Sequence, residues 1–243
     1  MEHEFQSQWS DPSFTRHYRD ISGLQLPFRD RVLVLMQAFY RYHLDSHARQ
    51  RIMDLGSGDG VVGQALLGPS GDDRLVLVDG SSDMLLAARE RFGDDPRVEY
   101  LHASFGEMNE NPPEFAPFSI VVSSLAVHHI PLEMKGRLFS TIHHLVAPGG
   151  YFLVYDTVLP PTPLLEEFYM ELWKQWIREQ KALHKSDLDL ESMLADHHLA
   201  PDHHKNLDTM EDYLSAMRSA GFSEVDCVFK YGVFALMCGM KKE

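Results

Sequence analysis

Apolar residues fall in short runs separated by glycine- and proline-rich breaks, and the period of the runs changes along the chain. From Phe28 to Tyr42, Val32, Leu35, Met36 and Phe39 recur at helical spacing, which predicts an amphipathic helix. Arg51–Leu55, Leu75–Asp79, Val98–His102, Ser119–Ser123 and Tyr151–Tyr155 read instead as short strands. The second is apolar up to its last residue, as a strand covered on both faces should be. Helical segments separate them: Val61–Leu67, a stretch capped by Ser81 or Ser82 and running to about Phe92, and one from Pro131, in its first turn, to about Val146. Pro148-Gly149-Gly150 closes that last unit before the fifth strand. A β-α-β-α-β order with helix-length crossovers demands a parallel sheet with helices on both faces, an α/β fold.

The pattern changes after Thr157. Pro160, Pro161 and Pro163 make a stiff turn, and Leu165, Phe168, Leu172 and Trp176 mark an amphipathic helix of about five turns. A polar, His-rich stretch follows to Asn206. Met210–Ala220 reads as a helix stopped by Gly221. Val225–Phe229 and Val233–Cys238 read as two last strands joined through Tyr231-Gly232, a connection so short that the pair must be antiparallel. The expected organisation is one domain: an N-terminal helical arm over 1–47, a core over 48–157, an insertion at 158–207, and a C-terminal helix and strand pair over 208–243.

Composition narrows the partners. The 243 residues suit a single domain with a large core. Twenty-two Lys and Arg against 36 Asp and Glu leave a net charge of −14, which opposes a phosphate backbone and disfavours a nucleic-acid partner. Two cysteines, Cys227 and Cys238, cannot make a disulfide framework. The acidic Met1–Phe5 stretch is not a signal peptide, and no apolar run approaches about 18 residues. The expectation is a cytoplasmic protein with no membrane partner, monomeric or homodimeric.

Gly56, Gly58 and Gly60 stand where the chain must turn from a strand into a helix, at the open end of a parallel sheet, where such folds bind ligands. Asp79 ends the second strand 19 residues after Gly60, where a carboxylate can accept both hydroxyls of a ribose. Gly58-Asp-Gly-Val-Val-Gly63 also fits the dinucleotide fingerprint, so the glycines alone leave a nicotinamide oxidoreductase open. The wider context is more specific. Asp54-Leu-Gly-Ser-Gly-Asp-Gly60, Val78-Asp-Gly-Ser-Ser-Asp-Met84, Ser123-Ser-Leu-Ala-Val-His-His-Ile130 and Leu145-Val-Ala-Pro-Gly-Gly150 occur in that order. Over about residues 48–157 this resembles the class I S-adenosylmethionine-dependent methyltransferases, in particular the small-molecule, ubiquinone-biosynthesis-like branch.

The resemblance implies a three-layer α/β sandwich with a Rossmann-like, seven-stranded, mostly parallel sheet whose last strand is antiparallel, plus a helical lid. It implies S-adenosyl-L-methionine as cofactor, S-adenosyl-L-homocysteine as product, and a small-molecule acceptor reacting through O, N or C. The Asp54–Gly60 loop, with Gly56, Ser57, Gly58 and Gly60, would cradle the methionine part. Asp79 would hold the ribose, Met84 would pack near the adenine, and Gly80 would be among the cofactor contacts. Ala103 and Ser104 stand where the family often has Asp near the adenine amino group, and Ser119 where it often has an acidic residue. Ser123 would lie at the cofactor's edge, and Tyr18, with Arg19, would reach over its carboxylate from the arm.

His128 and His129 follow the fourth strand at the same sheet edge. Either could take a proton from the acceptor during transfer, with Asp156 after the fifth strand as partner, or could simply pack into the loop and cap the next helix. Fourteen histidines make the pairs His197-His198 and His203-His204 expected by chance, so no metal is assigned and a solvated lid segment is the preferred reading. Trp173 and Trp176 could line an acceptor pocket or pack the insertion on the sheet. A cofactor-binding module without catalysis is the remaining alternative.

Overall fold

The computed structural model describes residues 26–44, 49–69, 71–115, 117–184 and 206–243. Seven strands form one sheet: β1 (Arg51–Leu55), β2 (Arg74–Asp79), β3 (Val98–His102), β4 (Phe118–Ser124), β5 (Val146–Thr157), β6 (Ser223–Tyr231) and β7 (Phe234–Met240), in the order β3-β2-β1-β4-β5-β7-β6. Strands β1 to β5 pair in parallel, and β7 is antiparallel to both its neighbours. This is the sheet the resemblance implies. The strand order reverses between β1 and β4, so the crevice at their carboxyl ends is the topological switch point.

Alternation along the strands divides the core in two. Ile52, Leu75, Leu77, Ile120, Val122, Leu153 and Leu236 face one layer, made by α1 (Arg29–His43), α2 (Val61–Leu67), α3 (Ser82–Phe92) and part of α6 (Pro163–His184). Met53, Leu55, Val76, Val121, Phe152, Val154 and Met237 face the other, made by α4 (Phe105–Glu110), α5 (Leu132–Leu145) and α7 (Met210–Ser219). Nearly all of these side chains are removed from water, which is the main stabilisation of such a sandwich.

The structure departs from the sequence expectations in four places. Helix α4 was not foreseen, because six residues are too few to show a period; its start is set by a capping box between Ser104 and Glu107. Pro131 is the N-cap of α5 rather than part of its first turn. Pro148-Gly149-Gly150 lies inside β5: Gly149, at φ 75°, lets the strand bulge and still pair with the tail, its N–H donating to Lys241 O at 2.8 Å. The last hairpin turns at Gly232 and Val233, with Gly232 at φ 57°.

Helix α6 has 22 residues and lies against the sheet, with Trp173 and Ile177 buried. Trp173 meets Phe234 edge-on at 5.9 Å, and Trp176 lies 4.6 Å from Phe28. Both tryptophans thus pack the insertion on the core. The chain leaves β5 at Val158 and is back beside it by Asp208, whose carbonyl accepts from Leu159 N at 2.8 Å. The insertion therefore opens and closes at the same carboxyl edge of the sheet.

Candidate active site

The first half of the crevice is built from backbone. Gly56 N and Ser57 N both donate to Val78 O, at 2.8 and 3.0 Å, so the loop after β1 is held against the end of β2. Gly56 sits at φ 69°, and a Cβ there would lie 2.5 Å from Ala126 Cβ. Gly60 sits at φ 78°, and a Cβ there would lie 2.7 Å from Phe92. Only glycine meets both demands at once. Asp79 ties the loop to the next turn: its Oδ2 accepts from Gly58 N at 2.7 Å and its Oδ1 from Ser81 N at 2.8 Å. Burial raises its pKa, against the two N–H donors. Each oxygen keeps a lone pair for a hydroxyl. Met84 is buried with its sulfur 4.0 Å from the position a Cβ on Gly58 would take. Gly80 backs onto Ser104, whose Cα would lie 3.5 Å from such a Cβ.

Beneath this loop lies Asp54, 1% exposed. Its Oδ2 accepts from Gly63 N at 2.9 Å, whereas its Oδ1 and the Ser57 hydroxyl are buried with no hydrogen-bond partner among the described residues. Burial, with Asp79 and Asp59 adding negative charge, pushes the Asp54 pKa up to about 7. Two other candidates are occupied within the fold. Ser104 caps α4, its hydroxyl donating to Glu107 Oε2 at 2.8 Å. Ser123 is fully buried and donates to Leu55 O at 2.7 Å, a strut between β4 and β1. Ala103 hydrogen-bonds Asp79 O through its N–H at 3.1 Å, which fixes the end of β3 beside the loop.

The second half is built from side chains. After β4, Leu125 adopts φ 53°, a left-handed backbone that costs a branched residue energy, and its N–H is held by Tyr155 O at 2.7 Å. A single 3-10 turn, Val127–His129, follows. There His128 Nδ1 meets Asp156 Oδ1 at 2.5 Å, and His128 N donates to Asp156 Oδ2 at 2.9 Å. Thr157 N and the Tyr213 hydroxyl supply two more donors, at 2.9 and 3.1 Å. Asp156 is completely buried, with four donors on its two oxygens. Burial and the adjacent carboxylate push the Tyr213 pKa far above its ordinary value, so that hydroxyl stays a donor. The ring of His129 lies 4.0 Å from that of His128, and its carbonyl accepts from Asn206 Nδ2 at 2.8 Å. Lys135, fully buried on α5, donates to Asn206 O at 2.5 Å and pairs with Asp208.

The structure brings His128, His129 and Asp156 together, 28 residues apart in sequence between His128 and Asp156. Tyr213, Asn206 and Lys135 were missed by sequence reasoning, and no local motif marks them. Tyr18, Arg19 and the two histidine pairs at 197–198 and 203–204 lie outside the described residues. Among the described residues, no group of three or more His, Cys, Asp or Glu could hold a metal ion, and no helix is long and apolar enough to cross a membrane.

A seven-stranded sheet with one antiparallel strand, a glycine loop after β1 and an acidic residue ending β2 define the class I methyltransferase fold. Residues 52–150, the stretch that carries the glycine loop, Asp79 and the His128–His129 turn, match the family described as a methyltransferase domain. The demethylmenaquinone methyltransferase of Clavibacter sepedonicus is 31% identical over 122 residues, 50% of this chain and 47% of that protein. The carboxy-S-adenosyl-L-methionine synthase of Chromohalobacter salexigens is 22% identical over 92% of this chain and 80% of its own length. Human N-acetylserotonin methyltransferase, solved in complex with S-adenosylmethionine, superposes with a TM-score of 0.59 at 16% identity, over 100% of this chain and 60% of that one. The chain thus spans about half the length of the first of these relatives.

The residues fit S-adenosylmethionine. At Gly58 a Cβ would meet nothing nearer than Met84 Sδ at 4.0 Å, and the oxygens of Asp54 and Ser57 that have no hydrogen-bond partner among the described residues suit a charged, hydrogen-bonding ligand.

Proposed function

We propose that the protein transfers a methyl group from S-adenosylmethionine to a small-molecule acceptor at the crevice between the Gly56–Gly60 loop and the His128–Asp156 pair. The observation that carries the reading is the buried carboxyl of Asp156 beside His128, placed one strand away from the glycine loop. The cofactor, when bound, supplies an electrophilic methyl group on a cationic sulfur. Asp79 binds the ribose hydroxyls, the Gly56–Gly60 loop with Ser57 and Asp54 holds the methionine end, and Met84, Gly80 and Ala103 bound the adenine. Asp156 holds the Nδ1 proton of His128, so Nε2 is the ring nitrogen that takes a proton from the acceptor. His129 and the turn at Leu125 orient that ring. A base would serve a hydroxyl, amine or acidic carbon; a nucleophile that carries no proton needs only alignment.

Helix α6, in this reading, bounds an acceptor pocket above the sheet edge, supported by the insertion's leaving and returning at that edge. The charge of −14 supports a small molecule over a nucleic acid, and two free thiols support the cytoplasm. The test is an acceptor screen that follows S-adenosylhomocysteine release. Turnover that needs an added acceptor supports the reading; cofactor binding with no turnover of any acceptor leaves a binding module.

One observation favours a second reading. The proteins named carboxy-S-adenosyl-L-methionine synthase align over nearly the whole chain, so the cofactor could itself be the group modified. Mass spectrometry of the nucleoside co-purified with the protein separates the two: a carboxylated sulfonium favours the second, S-adenosylmethionine or S-adenosylhomocysteine the first.

A further inference from the structure

Asp54 is sealed under the glycine loop, and the transfer mechanism gives it no step. Its Oδ2 has one donor, Gly63 N, at 2.9 Å, and its Oδ1 has none among the described residues although Asp54 is 1% exposed. An ionised carboxylate in that state is shielded from bulk solvent and has no ion-pair partner among the described residues, which is costly. The charged groups that act on it are Asp79, at the end of β2, and Asp59, within the loop, and both oppose its ionisation. From α2 it meets the Gly63 N–H. Arg91, at the loop, pairs with Asp59 rather than with Asp54. A carboxylic acid satisfies this site better than a carboxylate, until a cation arrives.

We propose that Asp54 carries a proton in the cofactor-free protein and releases it to solvent when the cationic cofactor seats on the Gly56–Gly60 loop. The inference rests on the cofactor assigned above and adds that its binding is proton-linked. A carboxyl group near 7 in the free protein and back in the ordinary range near 4 in the complex releases about 0.8 of a proton per cofactor at pH 6.5. The sign follows: protonation competes with the cofactor, so affinity is retained above neutrality and falls with acid. Between pH 7 and pH 6 the Kd rises about fivefold.

The experiment is titration calorimetry of S-adenosylmethionine into the full chain at pH 6.5, in buffers of different ionisation heat. Heats that scale with buffer ionisation, at about 0.8 of a proton released, are the expected result. Heats independent of buffer, with binding intact, overturn the inference and leave the cofactor assignment standing. No binding at either pH 6.5 or pH 8 overturns both. Asp54→Asn, checked for folding by circular dichroism, should abolish the release; a folded variant that still releases the proton transfers the role to Asp79 and refutes it for Asp54. Because the wild-type buffer dependence decides by itself, a variant that fails to fold does not protect the proposal.

Discussion

The two halves of the crevice are made of different material. On the β1–β2 side, contacts and shape come from the main chain: the N–H groups of Gly56 and Ser57 pin the loop to Val78 O, that of Gly58 pins it to Asp79, and a Cβ would collide at Gly56 and Gly60. On the β4–β5 side they come from side chains gathered from positions 128, 156, 206 and 213. A main-chain cradle suits a ligand that is always the same, because it depends on backbone path and tolerates many side chains. A side-chain cluster can be changed residue by residue, which suits the acceptor, the partner that differs between enzymes of one fold. The two halves touch where Ala126 lies against Gly56, so the glycine that shapes one also admits the other.

That contrast is open to disruption. Replacing His128 with Asn should leave cofactor affinity within about twofold and lower turnover with the acceptor about 10²–10⁴-fold, the range for a lost general base. Normal turnover would reduce the His128–Asp156 pair to a structural contact. Gly56→Ala should act on both halves, since the new methyl would meet Ala126 in a backbone conformation that disfavours it. A loss of about 1–3 kcal/mol of stability is expected, read as a midpoint lower by several degrees in a chain of this size. An unchanged midpoint would mean that the two loops are not held in contact. Tyr213→Phe removes one of the four donors on Asp156 and keeps the ring, so about 1–2 kcal/mol in denaturant unfolding is the smallest effect of the series.

The same contrast explains what could be read from sequence. Asp54, the three glycines and Asp79 stand within 26 positions, because one strand–loop–helix–strand unit carries them, and a spacing rule finds them. The β-strands were equally legible, since a run such as Leu75–Val78 must be covered on both faces. His128 and Asp156 required the further inference that β4 and β5 are neighbours, which the resemblance supplied. Tyr213 reads in sequence as one more apolar position of α7, and its ring does pack in the core; only the fold shows its hydroxyl reaching Asp156. Lys135 looks like a solvated helix residue, yet it is sealed by Asn206 and Asp208, more than 70 positions away. Ser104 caps α4, a helix of six residues, too short to announce itself in the sequence.

The central claim is that the β1–β2 half of the crevice holds the cofactor, and it is tested most directly by calorimetric titration of S-adenosylhomocysteine into the wild type, Asp79→Ala and His128→Asn at pH 8. Asp79→Ala removes a partly buried carboxylate that would accept the ribose hydroxyls, a loss of about 1.5–3 kcal/mol, or tens of fold in affinity. The account predicts one site per chain, an Asp79→Ala variant weakened by that amount, and a His128→Asn variant indistinguishable from wild type. Equal affinity in a folded Asp79→Ala variant, or a loss confined to His128→Asn, would contradict it.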